Sequence, residues 1–480
     1  MAAGLIKRTR NALRAAVRSF NGFDAAGGSG RWPRSAALWA QNAQSLAARK
    51  VMNPRIAYLA NNSPHGAAFV ESWVTALCGD GPSIRANHPD ADVRQRLQDE
   101  FAEWSLHASS EGDGVDLAGM LETQTRTIVQ SGESVTRFEI DDGAQLRLNL
   151  LNPDQLDSSR TVPSMGTTGT APLITSGVEF DERGRRAAYW LLPDAPDAPW
   201  ASVGEPQRVD AADVAHCFVR KFPGQVRGLS WLAPVATRLV ELDQLEDAAL
   251  VKAKVSALMT FFLSDSDGIL NAFDGVTSGT AFDPATIQIE PGFINALPPG
   301  VDVKSPPITD MVALAEVLRH FLHSIAAGGG LTYERISSDM SQVNYSSARL
   351  AEAQFQRKVK ALQSNLLVAQ FLLPIWRRWV MLEILSGRAP YASDFNANPL
   401  AYLNAKFLFS GMPAIDPLKE AKADALDLAS RTKSRAEIVA TNGRDIDDVD
   451  QEIEDDPLYI SDAAQAQALL TQPEEVSSNA

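Results

Sequence analysis

Glu316, His320 and His323 recur at i, i+4 and i+7 in "EVLRHFLH", a spacing that lines three ligating side chains along one helical face and suits a shared metal ion. The same residues also read as the polar flank of a long helix, because Met311, Leu314, Leu318, Phe321, Leu322 and Ile325 form an apolar stripe on its other side. That second reading, with no metal, is the expectation. His216 beside Cys217 follows an alternating strand and reads as core packing. Asp265 and Asp267 in "LSDSDG" lack the further ligands and closing Glu of a calcium loop, and read as a turn. No lysine follows a glycine, so the phosphate-gripping P-loop is missing; no serine sits in a G-x-S-x-G elbow, and no histidine precedes a glutamate as in a zincin. No enzyme site is legible and no cofactor is expected.

The elements that would position any such residues belong to a large chain. Its 480 residues are 45% apolar, enough for a sizeable core and more than one domain. Cys78 and Cys217 are the only cysteines, so neither a disulfide framework nor a cysteine metal cluster is expected, and a reducing compartment is the default. Acids number 59 against 44 Lys and Arg, a formal charge of −15. Affinity for nucleic acid comes largely from Lys and Arg displacing counterions, so contact with DNA should be local or transient. The first twenty residues are basic, with Lys7, Arg8, Arg10, Arg14 and Arg18 beside an apolar stripe; a solvated arm is expected over a targeting or membrane-surface helix. Leu366 to Leu385 is apolar but contains Gln370, Pro374, Arg377, Arg378 and Glu383, which makes a poor membrane span, and no membrane partner is expected.

Periodicity predicts a mixed α+β fold. In "NSPHGAAFVESWVTALCG", Asn62 or Ser63 caps a helix, Pro64 suits its first turn and Gly79 its end. From about Glu133 to Phe222 the pattern turns to short strands, with "SVTRFEI" and "QLRLNLL" as a hairpin about an Asp142-Gly143 turn. A long helix is predicted from Ser230 to Phe262, then a small β unit with Pro-Gly punctuation, then a third helix from about Asp310 to Ala327. Gly328 to Gly330 end that helix by permitting positive backbone dihedrals. Ser346 or Ser347 caps a fourth, in which Pro374 predicts a kink near Phe371 to Leu373. Asp416 and Pro417 open a tail helix, and "GRDIDDVDQEIEDDP" reads as a solvated acidic edge.

The joint between the third and fourth helices, "AAGGGLTYERISSDMSQVNYSSARLAEA", combines three glycines with hydroxyl, amide and aromatic side chains. Together with "FDAAGGSGRW", "YLANNSPHGAAFVESWVTALCGDGPSI", "DGVDLAGMLETQTRTIVQSGESVTRF", "GQVRGLSWLAPV", "IEPGFINALPPG" and "IDPLKEA", in this order over most of the chain, it resembles the lambda-type portal proteins of tailed bacteriophages. The chain departs from the usual pattern at Ala60, where the family often has a basic residue ahead of the paired asparagines Asn61 and Asn62.

The resemblance implies a portal fold, α+β, with wing, stem, clip and crown, assembling as a homo-oligomeric ring, typically of twelve subunits, at one capsid vertex of the virion after assembly in the bacterial cytoplasm. Carried onto this sequence, residues 1–50 are an N-terminal arm, 51–229 the wing, 230–262 and 309–327 the paired stem helices and 263–308 the clip between them. Residues 328–345 are the tunnel loop, 346–412 the kinked wing helix with the segment after it, and 413–480 the crown and acidic tail. The tunnel loop would meet the DNA backbone through Tyr333, Arg335, Ser337, Ser338, Gln342 and Asn344 on the hinge of Gly328, Gly329 and Gly330, while Glu334 and Asp339 keep it from being a net cationic trap. Implied partners are the terminase large subunit, the major capsid and scaffold proteins, a head-tail adaptor, and duplex DNA met transiently and without sequence preference. The rival expectation is a metal-dependent hydrolase or maturation enzyme of the head module built on Glu316, His320 and His323.

Overall fold

The computed structural model describes residues 41–455 apart from 113, 163–171, 197, 200–203, 259–261, 266–300, 305–310, 342–344 and 412–416. Internal contacts divide the chain into Met1–Lys50 and Val51–Ala480. The first described element is helix α1 (Gln41–Asn62).

Ser63 ends α1 and caps α2 (Pro64–Cys78): its Oγ accepts from the Gly66 amide at 3.3 Å and donates to Asp243 at 3.1 Å, while Gly79 closes the helix at φ +52°. Strand β1 (Pro82–Ala86) and helices α3 (Ala91–Ser105) and α4 (Leu117–Ser131) follow, with Asp90 and Asp116 as caps. The predicted hairpin forms as β2 (Glu133–Ile140) and β3 (Leu146–Leu151), with Ile140 opposite Leu146. Its turn is longer than the expected Asp-Gly pair. Residues 141–145 make it, Asp141 organises them by accepting from the Gln145 amide, and the positive φ falls on Ala144, not Gly143. Strands β4 (Leu173–Thr175), β5 (Val178–Phe180), β6 (Arg186–Leu191) and β7 (Gln207–Asp210) make an antiparallel meander, and β8 (Val214–Phe218) returns beside β2 to complete a β3-β2-β8 sheet.

Helix α5 (Ala236–Leu258) is shorter than the predicted Ser230–Phe262 span. Leu232 and Val235 are buried, but in the turns that precede it, and Phe262 opens strand β9 (Phe262–Asp265). β9 pairs antiparallel with β10 (Val301–Lys304), which leads toward α6 (Met311–Gly329). After α7 (Tyr333–Ser337), helix α8 (Tyr345–Leu362) begins one residue before the expected serine caps.

Pro374 does not break the helix that follows. The ten residues Gln363–Leu372 widen into π-helical turns, and α9 (Leu373–Leu385) starts with the proline in its first turn. The proline ring displaces the carbonyl four residues back, that of Gln370. Cys217 Sγ takes up this carbonyl at 3.2 Å, and the Gln370 side chain bonds both the amide and the carbonyl of Phe218. The irregularity expected as a kink thus covers the open edge of β8. Short α10 (Pro399–Leu403) precedes β11 (Ala405–Phe409), which pairs with β1, and α11 (Pro417–Ala429) starts on Pro417 as expected. Asp416 lies outside the described residues.

Helices α12 (Arg435–Thr441) and α13 (Ile446–Asp455) correct the reading of the acidic run. Asp445 is 1% exposed and bonds Arg85, and Asp447 receives Arg85 at 3.1 Å and Arg94 at 2.6 Å, so these acids clamp β1 and α3 where a solvated edge was expected.

The main core runs through α2, α3, α4, the π-helical stretch and α9, with Phe101, Trp376 and Trp379 in mutual ring contact. A smaller apolar cluster, including Val135, Val178, Tyr189 and Val226, fills the meander. Between the two lies a buried polar junction. Glu133, fully buried, accepts from Arg227 Nε at 2.7 Å, the Gly228 amide at 2.6 Å and His216 Nε2 at 3.1 Å. Arg227 also donates to the carbonyls of Pro153 at 2.9 Å and Ser176 at 3.2 Å, and Arg186 donates to His216 Nδ1 at 2.9 Å. The geometry makes His216 the neutral tautomer with its proton on Nε2. Burial, outweighing the pull of Glu133, lowers its pKa to about 4. His216 is buried as expected, but as a member of an ionic network rather than as apolar packing. Gly228 must lack a side chain, since a Cβ there would overlap the Gly132 carbonyl. This accounts physically for much of "GQVRGLSWLAPV": the segment that leads into α5 is bolted to the sheet.

Candidate functional site

The apolar stripe of α6 delivers the three glycines against α2. Only Gly330 takes a positive φ, +74°. Gly328 and Gly329 remain helical, so the expectation of three conformationally free glycines is corrected. Their role is close approach: a Cβ on Gly329 would overlap the Phe69 ring, and one on Gly328 would lie 2.7 Å from Val235. At Gly330 the helix closes as the Leu331 amide bonds the Ala326 carbonyl at 3.0 Å, with Leu331 buried.

An aromatic cage holds this joint. Trp73, 1% exposed, donates through Nε1 to the Gly329 carbonyl at 3.3 Å, meets Trp231 edge-on at 4.9 Å and touches Phe355 at 5.3 Å. Lys358, from α8, donates to the Gly330 carbonyl at 3.1 Å and places its ammonium 4.8 Å from the Trp73 ring centre. Burial, and then the charge of Lys221, draw the Lys358 pKa below the usual lysine value.

The sequence expected Tyr333, Glu334 and Arg335 to project from a loop, but they form α7, packed on the body. Tyr333 stacks on His323 with ring centres 4.3 Å apart and donates to Asp339 at 3.0 Å. Arg335 donates to Glu352 at 3.1 Å and lies over the Phe355 ring, while Ser72 Oγ donates to its carbonyl at 2.7 Å. Ile336 is buried and Glu334 is half-buried. Ser338 then turns the chain at φ +56° and is exposed, as is Met340. Hydrogen bonds from Ser341, and then from Tyr333, hold the Asp339 carboxyl below the usual carboxylate range. Gln342 and Asn344 lie outside the described residues.

The metal alternative finds no support in this geometry. Among the described residues no three His, Cys, Asp or Glu side chains stand close enough to share an ion, and His323 is engaged by Tyr333. Cys78 and Cys217 are buried free thiols whose pKa burial raises to about 11 and about 12, so neither is a reactive thiolate. No described helix is long and apolar enough to cross a membrane. Sequence reasoning missed Phe69, Trp73, Trp231, Phe355 and Lys358. The available signal was Phe69 and Trp73 at i, i+4, which read as ordinary core spacing.

Two long helices flank a small β pair beside a packed body of helix and sheet, in a mixed α+β fold. The chain belongs to the lambda family of phage portal proteins, whose family model matches residues 29–363. It is similar to the probable portal protein of Halomonas phage phiHAP-1, 25% identical over 405 residues that cover 82% of this chain and 74% of that one. It is also similar to portal protein B of Escherichia phage lambda, 22% identical over 318 residues, covering 61% and 60% of the two chains. Among solved structures, a chain from the neck of a native GTA particle computed with C12 symmetry superposes at a TM-score of 0.46 with 16% identity, covering 81% of this chain and 93% of that one.

Proposed function

We propose that copies of this chain assemble into a ring, of twelve subunits as in the family reading, at one capsid vertex. Through this ring a separate terminase motor drives duplex DNA on packaging, and DNA leaves on infection. The observation that carries the reading is the family match through residue 363, which spans both long helices and the glycine joint. α5 and α6 serve as stem, the β9–β10 pair belongs to the clip that meets terminase and then the head-tail adaptor, and residues 51–229 form the wing. Residues 346–412 complete the wing beneath capsid and scaffold proteins, and 413–480 form the crown. Val240, Leu250 and Val251 on α5 and Val317 on α6 are exposed large apolar side chains, which fits helices whose outer faces are covered by neighbouring copies.

The DNA-facing part of the tunnel loop is narrower than residues 328–345. Tyr333 and Arg335 are held within the chain, so contact with the DNA backbone falls to the stretch from Ser338 to Asn344. A ring of twelve would carry roughly −180 in formal charge, a field that disfavours static DNA binding and suits translocation. Negative-stain microscopy with native mass spectrometry tests the assembly. A ring with a central hole near the width of duplex DNA is expected; a chain that stays monomeric or dimeric even with its scaffold protein present sinks the proposal.

A further inference from the structure

Among the described residues, one cleft on this acidic chain is lined mainly by cations and aromatic rings. The turn between β5 and β6 and the loop after β8 face one another across a cavity of about 670 Å³, lined by Arg185, Arg186, Arg220 and Lys221 with Phe180 and Phe222. Gly184 and Gly224, at the tips of the two turns, both take positive φ, and a Cβ on either would meet nothing within 4 Å, so the mouth is open. The floor is built rigidly. Gln225, 6% exposed, accepts from the Lys221 amide at 2.7 Å and donates to the Arg227 carbonyl at 2.9 Å, which ties the loop to the buried junction.

The charges of this cleft are poorly compensated. Arg186 spends its donors on neutral acceptors, His216 and the Val226 carbonyl. Arg185 is 71% exposed and is paired with Asp181, the acid at the rim. Arg220 lies 5.9 Å from the Phe218 ring centre, and neither it nor Lys221 makes an ion pair among the described residues. Against a chain of net charge −15, these exposed cations make a local positive site open to an anion.

We propose that this cleft docks the phosphate backbone of duplex DNA, without regard to sequence. Planar guanidinium forks and a flexible ammonium suit phosphate oxygens, and the lining offers no Asn and only one Gln, already committed, to read base edges. The chain's own acidic helix α13 is a poor occupant, because Asp447 is held by Arg85 and Arg94, Asp450 by Arg435 and Glu452 by Arg444. A ring repeats the cleft around its circumference, so a long polyanion meets several weak contacts, which the net acidic field keeps exchangeable. The inference rests on the portal reading for the presence of DNA.

The test is binding of a fluorescein-labelled 24-base-pair duplex of random sequence to the full chain, by anisotropy between 50 and 200 mM salt, with the assembly state read by native mass spectrometry. Arg220→Ala/Lys221→Ala should weaken binding about tenfold at low salt and reduce the slope of log K against log salt by about 2, the loss of two phosphate contacts. A control, Arg55→Ala/Arg96→Ala, removes the same net charge elsewhere and should change the slope little. Equal behaviour of the two variants overturns the proposal. So does an unchanged duplex affinity accompanied by weaker binding of inorganic phosphate or of a polyglutamate peptide, which would assign the cleft to a free anion or to an acidic protein. Cleft-dependent binding by a chain that forms no ring supports the cleft and counts against the portal reading alone.

Discussion

Exchanging Glu133 for Gln leaves the shape of the buried junction but replaces one carboxylate oxygen by an NH2 group. The groups bonded to that carboxylate include three donors: Arg227 on one oxygen, the Gly228 amide and His216 Nε2 on the other. Whichever way the amide turns, its NH2 faces N–H groups, and Arg227, with a side chain 2% exposed, keeps only backbone carbonyls and the Ser176 hydroxyl against its charge. Removing one partner of a buried ion pair costs about 3–5 kcal/mol, because the other charge stays buried and unpaired. Glu133→Gln should lower the urea-unfolding free energy by that amount, followed by tryptophan fluorescence near pH 7.5. Adding Arg227→Met removes the orphaned charge and should restore on the order of 2 kcal/mol. A loss below about 1 kcal/mol for the single variant, or no recovery in the double, would refute the idea that the junction is held by charge pairing.

Other consequences follow from the same contacts. His216 titrates near 6.5 when unfolded and near 4 in the fold, so the unfolded chain takes up its proton first as pH falls. Its contribution to stability is full above pH 6.5, shrinks by on the order of 3 kcal/mol toward pH 4, and should vanish from the pH profile in His216→Gln; an unchanged profile contradicts the assignment. Truncation after Gly443, harmless if the acidic run were solvated, should destabilise by about 1–3 kcal/mol by stranding Arg85 and Arg94, seen as faster hydrogen exchange in β1; native exchange rates there would restore the solvated reading. Gly330→Ala strains a positive φ by about 1–2 kcal/mol and displaces the Lys358 ammonium from the joint; it should leave rings intact while lowering the yield of DNA-filled heads, whereas normal heads would remove the joint from the packaging role. Gly329→Ala is the harsher change, since it pushes into Phe69, and should lower the melting temperature as well.

The caps, the strand alternation and the apolar stripes were legible in the sequence because each is set by neighbours a few residues away. Ser63, Pro64 and Gly79 bound α2 as their chemistry dictates, the β2–β3 pairing follows alternation, and Pro417 opens α11. The lambda-type portal family was legible too, from motifs whose order the chain preserves. What the sequence left open was every question answered by a residue far along the chain. Whether three glycines are hinges or contact points depends on Phe69 and Val235 standing against them. Pro374 was read as a kink because its lost amide is local, while the widened turns are stabilised by Cys217 Sγ donating to the Gln370 carbonyl and by the Gln370 side chain, which accepts from the Phe218 amide and donates to its carbonyl at a sheet edge. An acidic run looks solvated until Arg85 and Arg94 are brought to it, and His216 looks like core until Glu133, Arg186 and Arg227 surround it. Local propensity specifies the elements, whereas the energy of a buried charge or a close backbone approach exists only once the fold has brought its partner within reach.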